Sequence, residues 1–428
     1  MDDSKKDYTT ATLLLFSFMG TPLGALAEEI NQLETINVSA TAESKTLAGK
    51  DEVYSKNNVT EYKSKKEIET YHSQSVSDLL SGITGVYSGD ARNGGAIDPI
   101  IRSSWGQGRI PVLVDDTEQA ITIWRGYSGV SNRNYLDPFL VSEVNVEKGP
   151  NLDRTLRSGA AGTIRMTTLN PDDIIKPGKK WGIELKTETA NNSIKARPYE
   201  GIPIGQDYRL VAPDGRAELA EWALYFKDDD RISPRKKGRN KPLHDNAVRL
   251  ALAAKDDGYE VLGAYAYRNK GNYFAGKRGG KKYGEGTTGP LNLDKNSDDP
   301  YIPLIARIYK PGEEVPNTSY ESRSWLLKGK FHFNKHTSLS ANFRDTQINY
   351  GDIMPSRLGY NYAARNTVTQ WPLADVKQKT GNVEFSYNPP DNKWLDLKIG
   401  VWAVKNDTAT NTSVSYTHLR AHETKANL

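Results

Sequence analysis

Cysteine is absent from all 428 residues, and its absence excludes disulfides, thiolate metal sites and cysteine nucleophiles. Apolar residues are scarce as well, at 37%, below the share of an ordinary globular chain. Beyond residue 27 no run is apolar enough to cross a bilayer as a helix, which takes about 20 residues. A chain of this kind can enter a membrane only as strands. Nor does one sign of charge dominate: 57 Lys and Arg face 53 Asp and Glu, and a net charge of +4 gives no support to nucleic-acid binding as a main task. No Ser/His/Asp or paired-carboxylate arrangement has a context that supports catalysis, so no enzymatic activity is expected. Two loops approach ligand motifs and fail. Gly276–Lys282 lacks the Gly-Lys-Ser/Thr ending and the following helix of a phosphate loop. Asp294–Asp299 opens a calcium-like loop without Gly at its sixth position or Glu at its twelfth.

What the chain has in plenty is Tyr, 23 of them, with 8 Trp. That mixture suits a membrane barrel, whose strands spend alternate positions on lipid and whose interfaces carry aromatic belts. The N-terminus supports an exported protein. Ala11–Ala27 is an apolar run broken by Gly20, Pro22 and Gly24 and ending in Ala25-Leu26-Ala27, the small-x-small pattern of a cleavage site, so residues 1–27 read as a signal peptide. At the other end, Val414–Thr424 looks like a translated sequencing adapter, and residues 413–428 are expected to be a non-native tail.

Two periodicities divide the rest. Up to about residue 172 the pattern is mixed. Ser75 precedes Val76, Leu79, Leu80 and Ile83 at helical spacing, with Gly82 and Gly85 as stops, and predicts one short helix. Ile100–Arg102 and Arg109–Asp115 read as two paired strands, and Leu140–Thr168 as two more, hinged at Gly149-Pro150 and at the Gly159–Gly162 bend. From Trp181 the period is two. Val248, Leu250 and Leu252 alternate with Arg249, Ala251 and Ala253; Tyr265 and Tyr267 with Ala264 and Arg268; Trp325 and Leu327 with Leu326 and Lys328; Phe343 with Asn342 and Arg344. About seven strands result, joined by connections that alternate long and short. A soluble sheet has no reason to place every long loop at one end, whereas an outer-membrane barrel does.

Val144-Asn145-Val146-Glu147-Lys148-Gly149-Pro150, followed by Ala160-Ala161-Gly162-Thr163-Ile164, resembles the end of the plug domain of TonB-dependent outer-membrane receptors. Glu147, Lys148, Gly149, Pro150 and Gly162 are the family mark. The resemblance implies an α+β plug over residues 53–172 and antiparallel transmembrane barrel strands over 173–412, about seven of an expected 22. It implies a TonB box, Glu34, Thr35, Ile36, Asn37, Val38 and Ser39, in a linker over 28–52, which would pair as an added strand with TonB and so with the inner-membrane energising complex. It implies that Arg102 and Arg109 lock the plug to acidic groups of the barrel wall, although Ser103 and Asp116 stand where glycines are usual. Trp124, Arg125, Tyr127 and Arg133 sit among glycines on a loop facing the same end as Gly89–Pro99, where they could meet a planar or anionic ligand; wedging the plug against the wall is the alternative.

The function so implied is import of an iron source by a monomer in the bacterial outer membrane, in contact with its lipid, with no permanent cofactor and no metal site. The segments Asn134–Pro138 and Arg165–Asp173 resemble large haem or haemophore receptors, so haem or a haem-carrying protein is the expected ligand, and a ferric siderophore the close alternative. The rival from another class is a soluble secreted ligand-binding β-protein. It requires the apolar faces of the strands to pack on each other.

Overall fold

A computed structural model describes residues 42–73, 75–89, 95–106, 108–119, 121–124, 130–151, 156, 159–200, 231–238, 244–278, 309–353, 367–390, 392 and 394–410. The expected signal peptide, the box residues Glu34–Ser39, Arg125, Tyr127 and the expected tail lie outside them. All described residues belong to one compact unit, Thr41–Leu428.

The first part is an α/β domain. Helix α1, Ala42–Ser55, runs across the expected linker boundary at residue 53. Strand β1, Val59–Lys63, leads to α2, Lys65–Thr70, where Ser64 and Glu67 cap each other: Glu67 Oε2 accepts from the Ser64 amide at 2.8 Å. Four strands complete the sheet: β2, Val112–Val114; β3, Thr117–Glu118; β4, Val141–Lys148; β5, Gly162–Thr168. The order is β1-β4-β5-β2-β3, with β4 and β5 antiparallel and β2 parallel to β5. Alternation on β4 and β5 buries Val144, Val146, Ile164 and Met166 against Val76, Leu79, Leu80 and Ile83. The helix predicted around Ser75 is a short 3₁₀ turn, Val76–Leu80. Its first amide hydrogen bond runs from Ser75 N to Asp78 Oδ2 at 2.9 Å, and Gly82 and Gly85, at φ +81° and +69°, end it.

One expected pairing is wrong. The strand around Ile100, Pro99–Ile101, pairs with Val86–Ser88 and not with the strand around Leu113. The cause is a reversal at Arg102 and Ser103, with φ +48° and +64°, which turns the chain back so that Ile101 bridges Ser104. At Asp115-Asp116 both residues have positive φ, +48° and +58°, as a two-residue hairpin loop between β2 and β3 demands. Aspartate tolerates that backbone, so the turn survives without the family's usual glycine.

Leu140–Thr168 is the β4–β5 hairpin the sequence indicates. Gly149 takes φ +126° and Gly162 +143°. A Cβ on Gly162 would collide with the Glu147 carbonyl oxygen and lie 2.8 Å from Ile101 Cδ1. Gly162→Ala is therefore expected to cost about 2 kcal/mol or more, from a forbidden φ and an overpacked contact. Thermal unfolding checks it: a lowered melting temperature is expected, and an unchanged one contradicts the strain.

The second part is a wall of seven antiparallel strands, each paired with its sequence neighbour: β6, Trp181–Ala190; β7, Asp245–Asp256; β8, Tyr259–Lys270; β9, Tyr320–Asn334; β10, Thr337–Tyr350; β11, Ala374–Tyr387; β12, Leu397–Ala409. Residues 257–258, 335–336 and 388–396 make the short turns, and the long connections all leave the opposite end. Strand alternation gives the wall two faces. Ala247, Arg249, Ala251, Ala264, Arg268, Leu326 and Arg344 are buried against the α/β domain, and Ser324 and Gln378 are buried as well. Trp181, Ile183, Leu185, Leu250, Trp325, Phe331, Phe343, Ile399 and Val401 stand on the other face, each more than two-fifths exposed. Among the described residues these apolar side chains form an exposed face, where the soluble rival needs them packed on each other. A continuous exposed apolar face fits lipid.

Candidate functional site

The chemistry of this chain lies where the α/β domain meets the inner face of the wall. Three junctions hold them together.

The first is built on the β2–β3 turn. The left-handed backbone at Asp115 points its side chain at both β5 and the wall. Its Oδ1 accepts from Thr168 N at 2.9 Å and from Lys328 Nζ at 2.8 Å, and its Oδ2 from Thr168 Oγ1 at 2.6 Å. Arg344 stands 3.9 Å away, 2% exposed, and Asn382 Nδ2 donates to the Asp115 carbonyl at 2.9 Å. The Asp115 carboxylate is thus held by β9 and β10, and its main-chain carbonyl by β11. Burial pushes the Asp115 carboxyl up, but the Lys328 ammonium and the Arg344 guanidinium outweigh it and hold the group at about 2.

The second surrounds Phe139, which follows the turn Asp137-Pro138. Asp137 caps that turn, accepting from Phe139 N at 2.9 Å, and Ser322 of the wall hydrogen-bonds its other oxygen. Three wall cations face the ring: Arg268 at 4.4 Å, Lys186 at 4.9 Å and Arg249 at 5.9 Å from its centroid. Arg249 also donates to the Phe139 carbonyl at 2.5 Å. Glu69 of α2 pairs with Lys186 at 3.2 Å and with Arg249 at 3.3 Å, and Glu184 pairs with Arg249 and, at 3.1 Å, with Lys65.

The third lies towards the long loops. Arg133 is 1% exposed, pairs with Asp352 at 2.9 Å, hydrogen-bonds Tyr350 Oη and lies 5.7 Å from that ring. Tyr135 packs against the same ring, and Gly95 admits it because a Cβ there would collide with it. Ile97 and Asn134 exchange backbone hydrogen bonds of 2.9 and 3.0 Å. The two irregular stretches of the domain therefore meet at one end, as expected.

The expected site residues divide as follows. Arg133 is no ligand-facing group in this state: it is consumed by the wall. Trp124 ends the first strand of a hairpin, Ile121–Trp124 with Val130–Arg133, and lies at the tip away from Arg133; Arg125 and Tyr127 lie outside the described residues. Arg102 and Arg109 are exposed and form no ion pair among the described residues, because the Arg102–Ser103 reversal throws the first outward. The lock exists with its polarity largely inverted: Asp115 and Glu69 on the domain meet Lys328, Arg344, Lys186 and Arg249 on the wall. The family mark holds the sheet edge together, with Glu147 bound to Lys56 at 2.7 Å and Lys148 to Glu61 of β1. Asp115, Glu69 and Phe139 escaped sequence reasoning. The wall cations left a signal, since each alternates with lipid-type residues and so points inward.

The TonB-dependent Receptor Plug Domain family matches residues 53–163. Over 372 residues the chain is 38% identical to the hemophilin receptor of Acinetobacter baumannii, covering 86% of this chain and 34% of that protein. It is 31% identical over 121 residues to the heme transporter BhuA of Brucella ovis, 28% of this chain and 17% of the transporter. The fold is similar to that of the Serratia marcescens hemophore receptor HasR, solved with its hemophore HasA and heme, at TM-score 0.55 and 17% identity over 84% of this chain and 40% of that one. The chain thus spans about a third of the length of the hemophilin receptor.

Proposed function

The chain belongs to the TonB-dependent receptors, with its plug at residues 53–163, and on that premise we propose that the protein imports haem, presented by a carrier protein or free, across the bacterial outer membrane. The observation that carries this reading is the wall: one face apolar and exposed, the other bearing buried cations that an ion-paired plug covers. In a full-length barrel of such strands, a lumen filled by an ion-paired plug suits gated passage. The hemophilin receptor and the Brucella heme transporters among the relatives point to haem as cargo.

In this reading residues 34–39 form the TonB box. Edge-strand addition to TonB transmits force to β1, the edge strand of the plug sheet. Trp124, at the end of its strand, and Arg125 and Tyr127, which follow it in sequence, meet the ligand. Arg133 and Asp352 tie that hairpin to the root of the third long loop.

Growth tests the cargo. A strain lacking the gene is expected to lose growth on haem as sole iron source and to keep growth on ferric siderophores, with the full-length gene restoring the loss. Unimpaired growth on haem, with siderophore use lost, would transfer the reading to a siderophore receptor.

A further inference from the structure

Phe139 is a flat aromatic face set among cations inside the lumen wall. Arg268, Lys186 and Arg249 face its ring from three adjacent strands, β8, β6 and β7. Much of their hydrogen-bonding capacity is unspent: Arg268 Nε and NH2 and Arg249 Nε are buried and have no hydrogen-bond partner among the described residues. Arg268 has one weak counter-ion, Glu188 at 3.5 Å. Buried guanidinium donors left open are costly, and a wall built only to hold Phe139 would need none of them.

The counter-ions are also unevenly owned. Glu184 and Glu188 belong to the wall, whereas Glu69, which serves both Lys186 and Arg249, belongs to the plug and leaves with it. The wall then presents three cations, Lys186, Arg249 and Arg268, to two carboxylates. It also presents the apolar wall side chains that cluster with Phe139, among them Ala247, Ala251, Ala264 and Leu326.

We propose that the Phe139 ring is a place-holder, and that the Lys186, Arg249 and Arg268 cage becomes a transit site for a planar, carboxylate-bearing ligand once the plug moves. Cation–π contact would take the flat face and the open guanidinium donors the carboxylates. The inference rests on the haem reading, since haem is such a ligand, and it concerns passage rather than capture at the surface. A weak site suits passage, because a transit site must release what it binds.

The test uses the full-length receptor in its own outer membrane, with iron-labelled haem as the probe. Surface binding, energised uptake and leakage of a large antibiotic are measured for wild type, Arg268→Gln, Arg268→Lys and Phe139→Leu. Arg268→Gln is expected to slow uptake about tenfold, the loss of one or two charge-assisted hydrogen bonds in the path, with surface affinity and leakage as in wild type. Arg268→Lys is expected to recover part of the rate. Phe139→Leu weakens one junction of plug and wall and is expected to raise leakage, but it keeps all three cations and should slow uptake far less than Arg268→Gln. If the cations serve only to dock the plug, Arg268→Gln and Phe139→Leu will instead change uptake and leakage in the same direction, and the proposal falls. Arg268→Gln uptake at the wild-type rate overturns it equally. Wild-type cells that take up no haem would overturn the haem reading, and this inference with it.

Discussion

Replacing Asp115 with Asn is expected to loosen the plug from the wall by about 3–5 kcal/mol, the cost of leaving buried cations without their counter-charge. The substitution keeps the side chain's size and its place in the turn, but Lys328 and Arg344 lose the carboxylate between them. Neither cation has water to fall back on, with side chains 13% and 2% exposed. Arg344 already carries two buried donors, Nε and NH2, with no hydrogen-bond partner among the described residues. Cells carrying the full-length D115N receptor should leak large antibiotics, and the plug should become sensitive to protease. Lys328→Gln added to D115N should recover part of the loss, because the two residues share one interaction. A D115N receptor that is as tight and as protease-resistant as wild type would remove Asp115 from the account.

The same carboxylate predicts an acid response. Its folded value of about 2 lies below the ordinary value near 3.9. Its contribution, roughly 2 kcal/mol, is therefore fully present above about pH 4 and is lost as pH falls towards 2. In D115N that part of the acid response should vanish.

How the sequence foretold these features varied with the range of the interactions. The β4–β5 hairpin was legible because its glycines, at φ +126° and +143°, and its alternating Val144, Val146 and Ile164 act within a few residues of each other. So were the seven wall strands and the one-sided long loops, since period two and loop length are local patterns. The pairing of Pro99–Ile101 was not, because it was decided by positive φ at Arg102 and Ser103, residue types that ordinarily avoid that backbone. The plug–wall pairs seen in the structure were missed for a different reason. Asp115 meets Lys328, and Arg133 meets Asp352, across more than 200 residues of chain, and no local pattern records such partners. What the sequence did hold was half of the answer: Arg249, Arg268, Lys328 and Arg344 each alternate along their strand with the residues of the exposed apolar face.

The Ile121–Trp124 and Val130–Arg133 hairpin was the least legible part. Arg133, Trp124, Arg125 and Tyr127 form one aromatic and cationic cluster in sequence, but Arg133 pairs four positions from the tip, opposite Ile121, and is spent on Asp352.

In the proposed function a pull on the N-terminal box moves a locked plug and so admits haem. Ile36→Pro tests it most directly. Proline has no N–H to give to an added strand and disfavours extension of a ladder through that position, so the box loses its grip on TonB while plug and wall keep every contact described above. Iron-labelled haem uptake is measured in energised cells bearing the full-length receptor with and without this substitution. The account predicts unchanged haem binding at the surface and uptake reduced to the level of cells lacking TonB. Uptake by Ile36→Pro at the wild-type rate would contradict it.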